Sequence, residues 1–454
     1  MGKGKHHDDA AGCRTGAKDD RTSDVRLLPL IMCSYFIAYV DRTNVSFAAL
    51  TMNKDIGLSP YVFGWGAGIF FLGYFLFEVP SNIMLEKVGA RLWIARIMIT
   101  WGIVAGLMAV VTGPASFISM RFLLGVAEAG FFPGMILYFT YWFPSRYRAR
   151  VIGYLFMAVP ISNGLGAAVS GLLLELNGVL GLKGWQWMYI LEALPAILLG
   201  FVVLFVLPDR PKTAGWLSAE QKTWLEGELD AERKVLIARG QPKLLKALVD
   251  WRVLVLCLLY LLTTSANYGL TFFMPQVLKG LGQSNMMTGF MAAVPYLLGM
   301  IGLVVFGWSS DRYNERRWHF AVTCGLGALG LAGAAFTNGS YAQLAMMTLA
   351  TIGIYGSRPP FWPMPSNFLT GTAAAAGIAM INSVGNLGGY FGPFAVGWIR
   401  QSTNSFEPAL YTLSVLILLA GIVAILVPAV AGAKKKPTGI AGGGYETQGV
   451  GIGS

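Results

Sequence analysis

Twelve long apolar runs divide the chain, and their lengths constrain its fold more than any other feature. The runs cover residues 27–50, 60–85, 92–112, 115–143, 150–177, 185–207, 252–278, 286–308, 319–337, 340–365, 372–400 and 407–430. A helix needs about 20 apolar residues to cross the hydrocarbon core of a bilayer. Charged residues make up only 13% of the 454 residues, whereas soluble domains average about 25%. The sequence therefore predicts an all-α integral membrane protein with twelve spans.

Basic residues in the short loops predict the side of the membrane on which each loop lies. They are concentrated in alternate loops, at Lys87 and Arg91, at Arg146, Arg148 and Arg150, at Arg312, Arg316 and Arg317, and at Lys434 to Lys436. By the positive-inside rule these loops and both termini are cytoplasmic. Topology thus explains the net charge of +11, and we expect no nucleic-acid partner.

A charged turn occurs twice in the chain and indicates an internal duplication. LEKVGARLW at 85–93 follows the second run, and SDRYNERRW at 310–318 follows the eighth. A six-plus-six repeat of this kind usually places a binding site between its halves near the middle of the membrane. We therefore predict two six-helix bundles, at 26–207 and 251–430.

The remaining segments are polar. Segment 208–250 is expected to be a cytoplasmic loop between the bundles, in which WLSAEQKTWLEGELDAERKVL forms an amphipathic surface helix opened by the capping pair Ser218 and Gln221. A solvated connector is the favoured interpretation of that stretch. Residues 1–25 are expected to be a disordered N-terminus, and residues 431–454 a flexible tail.

The fourth run contains two opposite charges, Arg121 and Glu128, which are seven residues apart. At ~100° per residue they lie within ~20° of one helix face. Each charge costs roughly 2.5–3.5 kcal/mol or more at the bilayer centre, so the pair indicates a polar interior path. The alternatives are that Arg121 reaches the headgroups and that Glu128 is a hydrogen-bonded packing residue.

The first run contains a second pair of charges, Asp41 and Arg42, in YVDRTNVS. Asp41 lies too deep for its short side chain to reach water, and is a candidate proton carrier. Arg42 keeps its charge and needs an anion, either a protein carboxylate or a ligand. An Asp–Arg pair that only joins two helices is the alternative. A site whose demand for an anion changes with protonation is what proton–anion symport requires.

The tenth run cannot be one continuous helix, because it contains four prolines in GIYGSRPPFWPMPSN. Broken helices at membrane depth are tolerated where they are buried in protein or line a cavity. Amide side chains lie in other spans, at Asn163, Asn267, Asn382 and Asn386. Together these features favour a polar cavity between the spans.

These segments resemble the major facilitator superfamily, and specifically its anion:cation symporter family, in the branch of tartrate, phthalate, hydroxyphenylacetate and nicotinate permeases. The resemblance extends from Arg26 to Pro428 and is carried by YVDRTNVSFA at 39–48, RFLLGVAEAGFFPG at 121–134 and AAAAGIAMINSVGNLGGYFGP at 373–393. It implies two pseudo-symmetric six-helix bundles, the major facilitator fold, that work by alternating access.

The resemblance also implies roles for individual residues. Arg42 and Arg121 would bind a substrate carboxylate, and Asp41 and Glu128 would take part in proton coupling. Side chains expected to line the central site are Tyr39, Tyr74, Asn163 and Asn386. Trp362 belongs to a set of aromatic residues on which an aromatic acid could stack.

The two charged turns resemble the loop signature of the superfamily. The second copy matches it with Gly307, Asp311, Arg312, Arg316 and Arg317. The first copy departs from it, because Asn82 takes the first glycine position and Glu86-Lys87 replaces Asp-Arg, while Gly89 and Arg91 are retained. A gating role is therefore expected for Asp311, Arg312, Glu86 and Arg91.

We thus expect a secondary active transporter of the bacterial inner membrane that imports a small organic carboxylate, tartrate-like or aromatic as in phthalate or hydroxyphenylacetate, with protons. A sugar acid of the galactonate or glucarate type, sodium coupling and passive uniport are alternatives. The sequence contains no metal-ligand cluster, nucleophile elbow or phosphate loop, so neither an enzyme nor a metal or cofactor is expected. We expect a monomer whose partners are the substrate, protons and the lipid bilayer.

Overall fold

The computed structural model describes residues 26–238, 249–337, 339, 341–369 and 371–431. These residues form twelve helical spans. The predictions for 1–25, for 432–454 and for part of the central loop (239–248) lie outside the described residues. The predicted all-α fold is confirmed.

The first six spans follow one another along the chain with short loops. They are the helices 26–43 with Val45–Asp55, Pro60–Val88, Ala90–Leu107 with the 3₁₀ turn Met108–Val110, Pro114–Glu128 with Phe131–Trp142, Ser145–Leu173, and Gly184–Val206. The last six spans are Trp251–Lys279, Asn285–Arg312, Arg317–Phe336, Tyr341–Gly356 with Arg358–Phe361, Gly371–Asn386 with Gly388–Thr403, and Glu407–Leu426.

Nine of these spans are long and apolar enough to cross a membrane, counted over the described residues and with the two segments of the fourth span taken together. The other three, the first, tenth and eleventh, are each interrupted by a break in the helix. Apolar side chains point away from the bundle on several spans, as at Leu198 and Phe205, which are 63% and 80% exposed. A surface of this kind fits lipid as its solvent.

The fourth span breaks where the sequence predicted one helix over 115–143, and that prediction is wrong at this point. The first segment ends at Glu128, and Gly130 adopts φ +85° before the second segment begins at Phe131. A Cβ atom on Gly130 would lie 2.3 Å from the Ser81 hydroxyl, so a larger residue would clash with the second span. Glu128 is therefore the last helical residue before a break.

The tenth span is interrupted as its prolines predicted. Its long helix ends at Gly356, a short helix runs over Arg358–Phe361, and a 3₁₀ turn follows at Pro365–Asn367. This break carries the start of the short helix into the interior between the two halves of the chain. The predicted interruption is thus confirmed.

The two halves pack closely at the end of the molecule that carries the loops after the odd-numbered spans, here termed the odd-loop end. Between the second and eleventh spans, a Cβ atom on Gly64 would lie 2.4 Å from the carbonyl oxygen of Pro393. Between the fifth and eighth spans, a Cβ atom on Gly171 would lie 2.9 Å from the Cα atom of Gly289. Glycine is required at these crossings, because any side chain would separate the backbones.

The central loop forms the predicted helix, over Ala219–Ala238. Ser218 and Gln221 cap each other with two hydrogen bonds of 3.0 and 3.2 Å, as a capping box does. The carboxylate of Glu232 accepts hydrogen bonds of 2.8 Å from the backbone and hydroxyl of Ser145. The helix is therefore docked on the start of the fifth span and is more than a solvated connector.

Candidate functional site

A cavity lies between the two halves. Both halves supply its polar lining, which comprises Tyr35, Tyr39, Arg42, Tyr74, Tyr260, Tyr355, Arg358, Asn382 and Asn386. The lining has two arginines and, among the described residues that form it, no acidic side chain. Such a surface attracts an anion.

Arg42 forms an ion pair with Glu128 of the fourth span. Its guanidinium also donates a hydrogen bond of 3.4 Å to the hydroxyl of Tyr268 in the seventh span. The Tyr39 and Tyr74 rings flank it at 4.8 and 5.5 Å, distances at which a cation is attracted to an aromatic face. Arg42 is only 9% exposed, so its charge is held in place by one carboxylate and a set of aromatic rings.

Glu128 lies behind Arg42 and is 1% exposed. One of its carboxylate oxygens binds Arg42, and the other has no hydrogen-bond partner among the described residues. Removing one member of a buried ion pair leaves the other charge uncompensated, at a cost of about 3–5 kcal/mol. Protonation of Glu128 would therefore free Arg42 and create a strong demand for another anion.

Asp41 precedes Arg42 in the chain but faces a different neighbour. Its Oδ2 accepts a hydrogen bond of 2.9 Å from the indole Nε1 of Trp101 in the third span. Asp41 is 1% exposed, and its Oδ1 has no partner among the described residues. The structure thus places Asp41 behind the cavity lining and brings only Arg42 and Glu128 together as an ion pair.

Arg121 lies outside the cavity lining and is 0% exposed. Its guanidinium donates hydrogen bonds of 3.3 and 3.2 Å to the backbone carbonyls of Gly66 and Ala67 in the second span. The Phe70 ring lies 5.1 Å from the Arg121 guanidinium and 5.3 Å from that of Arg42. Arg121 therefore fastens the fourth span to the second, and its role as a substrate ligand stays a prediction.

Of the other predicted lining residues, Tyr39, Tyr74 and Asn386 line the cavity. Asn163 lies at the boundary of the two halves, where its amide nitrogen donates a hydrogen bond of 2.8 Å to the hydroxyl of Tyr355. Trp362 lies outside the lining and packs against Tyr260 with a centroid distance of 5.0 Å. The structure therefore brings three of these five side chains to the cavity.

The predicted gating residues lie at the helix ends that flank the loops after the second and eighth spans. Asp311 pairs with Arg316 at 2.6 Å, and the Arg312 guanidinium lies 5.5 Å from the Trp308 ring. The backbone N–H of Arg91 donates a hydrogen bond of 2.8 Å to Asp209. Glu86 is exposed. These contacts order the loops locally, and their gating role stays a prediction.

Glu315 lies in the turn between the eighth and ninth spans and has a perturbed carboxyl group. Burial acts to raise its pKa, but hydrogen bonds with the backbone N–H of Trp318 and with the imidazole and backbone N–H of His319 outweigh it, so the pKa of Glu315 lies below its usual range. The ionised carboxylate thus caps the start of the ninth span, where it satisfies free N–H groups.

Arg358 is the charged lining residue that the sequence reasoning missed. It opens the short helix after the break in the tenth span and lines the cavity from the second half of the chain. The signal was present, because an arginine stands inside the proline-broken span in GSRPPFWPMP. The prolines indicated a broken helix, and the charge that the break carries inward was overlooked.

Comparison with known proteins agrees with this fold. The pattern of the Major Facilitator Superfamily matches residues 31–393. A protein of Agrobacterium vitis with the name "Putative tartrate transporter" is 51% identical over 89% of this chain and 94% of its own length. A quinolone resistance transporter of Acinetobacter baumannii is 43% identical over 90% of this chain and 94% of its own length. The inward-open xylose transporter XylE from E. coli has a similar fold, with a TM-score of 0.70 and 13% identity over 88% of this chain and 95% of that one.

Proposed function

Because the chain belongs to the major facilitator superfamily, we propose that it imports a small organic carboxylate together with protons. The superfamily consists of membrane transporters, so the chain is a transporter and not an enzyme. Two Agrobacterium vitis relatives at 51% identity have names that refer to tartrate. They support tartrate as the first substrate to test, with aromatic carboxylates next.

The ion pair between Arg42 and Glu128 is the observation that carries this proposal. While Glu128 is ionised, its carboxylate occupies the guanidinium of Arg42. A proton on Glu128 removes that charge, and Arg42, which stays protonated, then binds a carboxylate of the substrate. Each ligand therefore favours the binding of the other, which is the linkage that symport requires.

Release reverses the same steps. When Glu128 loses its proton, the carboxylate returns to Arg42 and competes with the substrate for the guanidinium. Asp41 is the second proton carrier in this proposal, supported by its burial and by its one unpartnered oxygen. It follows Val40 on the same helix as Arg42, so a shift of the first span moves both groups together.

The orientation and the movement complete the proposal. We place both termini in the cytoplasm of a bacterial inner membrane, which makes the odd-loop end the outer one, with bundles at 26–207 and 251–430. The glycine crossings at Gly64 and Gly171 then belong to a state that is closed to the outside. A monomer is sufficient, since both halves of the cavity lining come from one chain.

Uptake into proteoliposomes with an imposed pH gradient tests the coupling. The wild type should accumulate tartrate against its gradient, and Glu128→Gln should lose this accumulation, since the amide cannot exchange a proton. The same variant should retain exchange of labelled for unlabelled substrate. Glu220→Gln, a change on the exposed face of the loop helix, is the matched control and should behave as the wild type.

Three outcomes would contradict the proposal in different ways. Accumulation by Glu128→Gln at the wild-type level would remove Glu128 from coupling. Accumulation driven by a sodium gradient alone would indicate sodium coupling, and equilibration without accumulation would indicate a uniporter. A sugar acid such as galactonate, offered in the same assay, distinguishes the remaining substrate class.

A further inference from the structure

We propose that Arg358 is a second anion-binding residue of the cavity, and that the substrate is therefore a dicarboxylate held between Arg42 of the first half and Arg358 of the second half. This inference rests on the proposed function and narrows its substrate class. Tartrate and phthalate carry two carboxylates and fit it, whereas hydroxyphenylacetate and nicotinate carry one.

The surroundings of Arg358 differ from those of Arg42. No acidic side chain of the described residues forms an ion pair with Arg358, whereas Arg42 has Glu128. Its neighbours are tyrosines: Tyr260 is a hydrogen-bond partner, and the Tyr355 ring lies 5.8 Å away. A charged group in the interior of a membrane protein normally pairs with an opposite charge or faces a ligand path. Arg358 faces the cavity, so its counter-ion is a bound anion.

The two arginines face the same cavity. Both line the cavity together with the tyrosines Tyr39, Tyr74, Tyr260 and Tyr355. The hydroxyl groups of tyrosines can donate to and accept from a substrate hydroxyl or carboxylate. A ligand with a carboxylate at each end and hydroxyl groups between them therefore meets complementary groups along its length.

The charges of the cavity lining favour a substrate with two carboxylates over a substrate with one. The lining carries two guanidinium charges, and Glu128 compensates that of Arg42 only while it is ionised. When Glu128 is protonated, a dianion neutralises both arginines, whereas a monoanion leaves one of them uncompensated. Guanidinium groups bind carboxylates through two parallel hydrogen bonds, which gives each end of the ligand a defined position.

The experiment compares each dicarboxylate with its monoamide, which has nearly the same size but one charge fewer. The pairs are tartrate and tartramate, succinate and succinamate, and phthalate and phthalamate, offered to purified protein in proteoliposomes as substrates and as competitors. We expect the wild type to prefer the dicarboxylate of its best pair by at least about tenfold, because the monoamide loses a charge-assisted hydrogen bond. In Arg358→Gln that preference should fall to within about threefold, since the second charge no longer has a partner.

Two further variants keep the inference testable if Arg358→Gln folds poorly. Arg358→Lys retains the charge and should keep most of the preference for the dicarboxylate. Arg400→Gln, which removes an arginine at the odd-loop end next to Phe406, should leave the preference at the wild-type value. Melting temperatures of all variants report whether they are folded.

The possible failures are distinguishable. A wild type that transports monoamides as well as dicarboxylates, or an Arg358→Gln variant that keeps the full preference, overturns the role of Arg358 and leaves carboxylate transport standing. An Arg358→Lys variant that discriminates as poorly as the Gln variant also overturns it. A wild type that transports no carboxylate in any of the pairs overturns the proposed function itself.

Discussion

The crossing of the fifth and eighth spans provides a quantitative test of how the odd-loop end is held closed. A Cβ atom on Gly171 would lie 2.9 Å from the Cα atom of Gly289 and 3.0 Å from the carbonyl oxygen of Asn285. Both obstacles are backbone atoms, so the change Gly171→Ala cannot be absorbed by a side-chain rotation. Overpacking of this kind costs about 1–3 kcal/mol. The substitution destabilises the closed state. It does not affect a state in which the two spans have separated.

Since about 1.4 kcal/mol corresponds to a tenfold change in an equilibrium constant, this cost shifts the closed-to-open equilibrium by roughly five- to 150-fold. A cysteine placed at Val159, which lines the cavity, reports the shift when a membrane-impermeant maleimide is added from the side of the odd-loop end. The background lacks the native cysteines. The labelling rate of the introduced cysteine is proportional to the population of the open state while that population is small. Gly171→Ala should therefore raise the labelling rate by the same factor.

Gly153→Ala is the matched control, because Gly153 belongs to the same helix and has no atom within 4 Å of its Cβ position. It should leave the labelling rate unchanged. Equal rates for the two variants would refute the reasoning, since they would show that the crossing at Gly171 does not hold the closed end together.

The remaining predictions concern Arg121 and Glu315. Arg121→Lys should lower the melting temperature of the ligand-free protein, because lysine cannot reproduce both hydrogen bonds to the carbonyls of Gly66 and Ala67, while the affinity for substrate changes by less than about threefold. An unchanged melting temperature with strongly weakened binding would instead make Arg121 a ligand. Glu315→Gln should lower the melting temperature at pH 7, and its difference from the wild type should shrink as the pH is lowered below about 4.3. The pKa of Glu315 is lowered in the folded protein, so its stabilisation is present above the ordinary pKa of about 4.3 and disappears as the pH falls through the folded value. A difference in melting temperature that stays constant as the pH is lowered would show that the carboxylate charge is not responsible.

The positions of the spans could be predicted from the sequence, because bilayer thickness fixes the length of an apolar run. The second span was predicted over 60–85 and extends over Pro60–Val88. The prolines of the tenth span predicted its break for an equally local reason, the missing N–H groups. The break at Gly130 was not predicted, since glycine is frequent in membrane helices and its left-handed conformation depends on how closely the second span approaches.

The contacts of the buried charged residues could be predicted from the sequence only in part. Adjacent residues on a helix point about 100° apart, so Asp41 and Arg42 could not both have faced one cavity. The partners of Arg121 are backbone carbonyls of another span. Every residue has a backbone carbonyl, so residue type does not identify these partners. Pairing of Arg42 with Glu128 was within reach, because both are buried and opposite in charge, but only the folded chain decides which carboxylate meets which guanidinium.

The two arginines lie in opposite halves of the chain, and this affects which combinations of bound anion and proton allow the halves to move. Arg42 belongs to the first half and Arg358 to the second, so in an empty site with Glu128 protonated two like charges face each other across the cavity. Their repulsion opposes the approach of the halves on which alternating access depends, since like charges in a medium of low dielectric constant are weakly screened. A bound dianion replaces this repulsion by attraction from both sides. Deprotonation of Glu128 in an empty site also reduces the repulsion, because the carboxylate then neutralises Arg42. Under the proposed coupling, the halves therefore change state either with both the anion and the proton bound or with neither, and the two arginines disfavour the intermediate combinations.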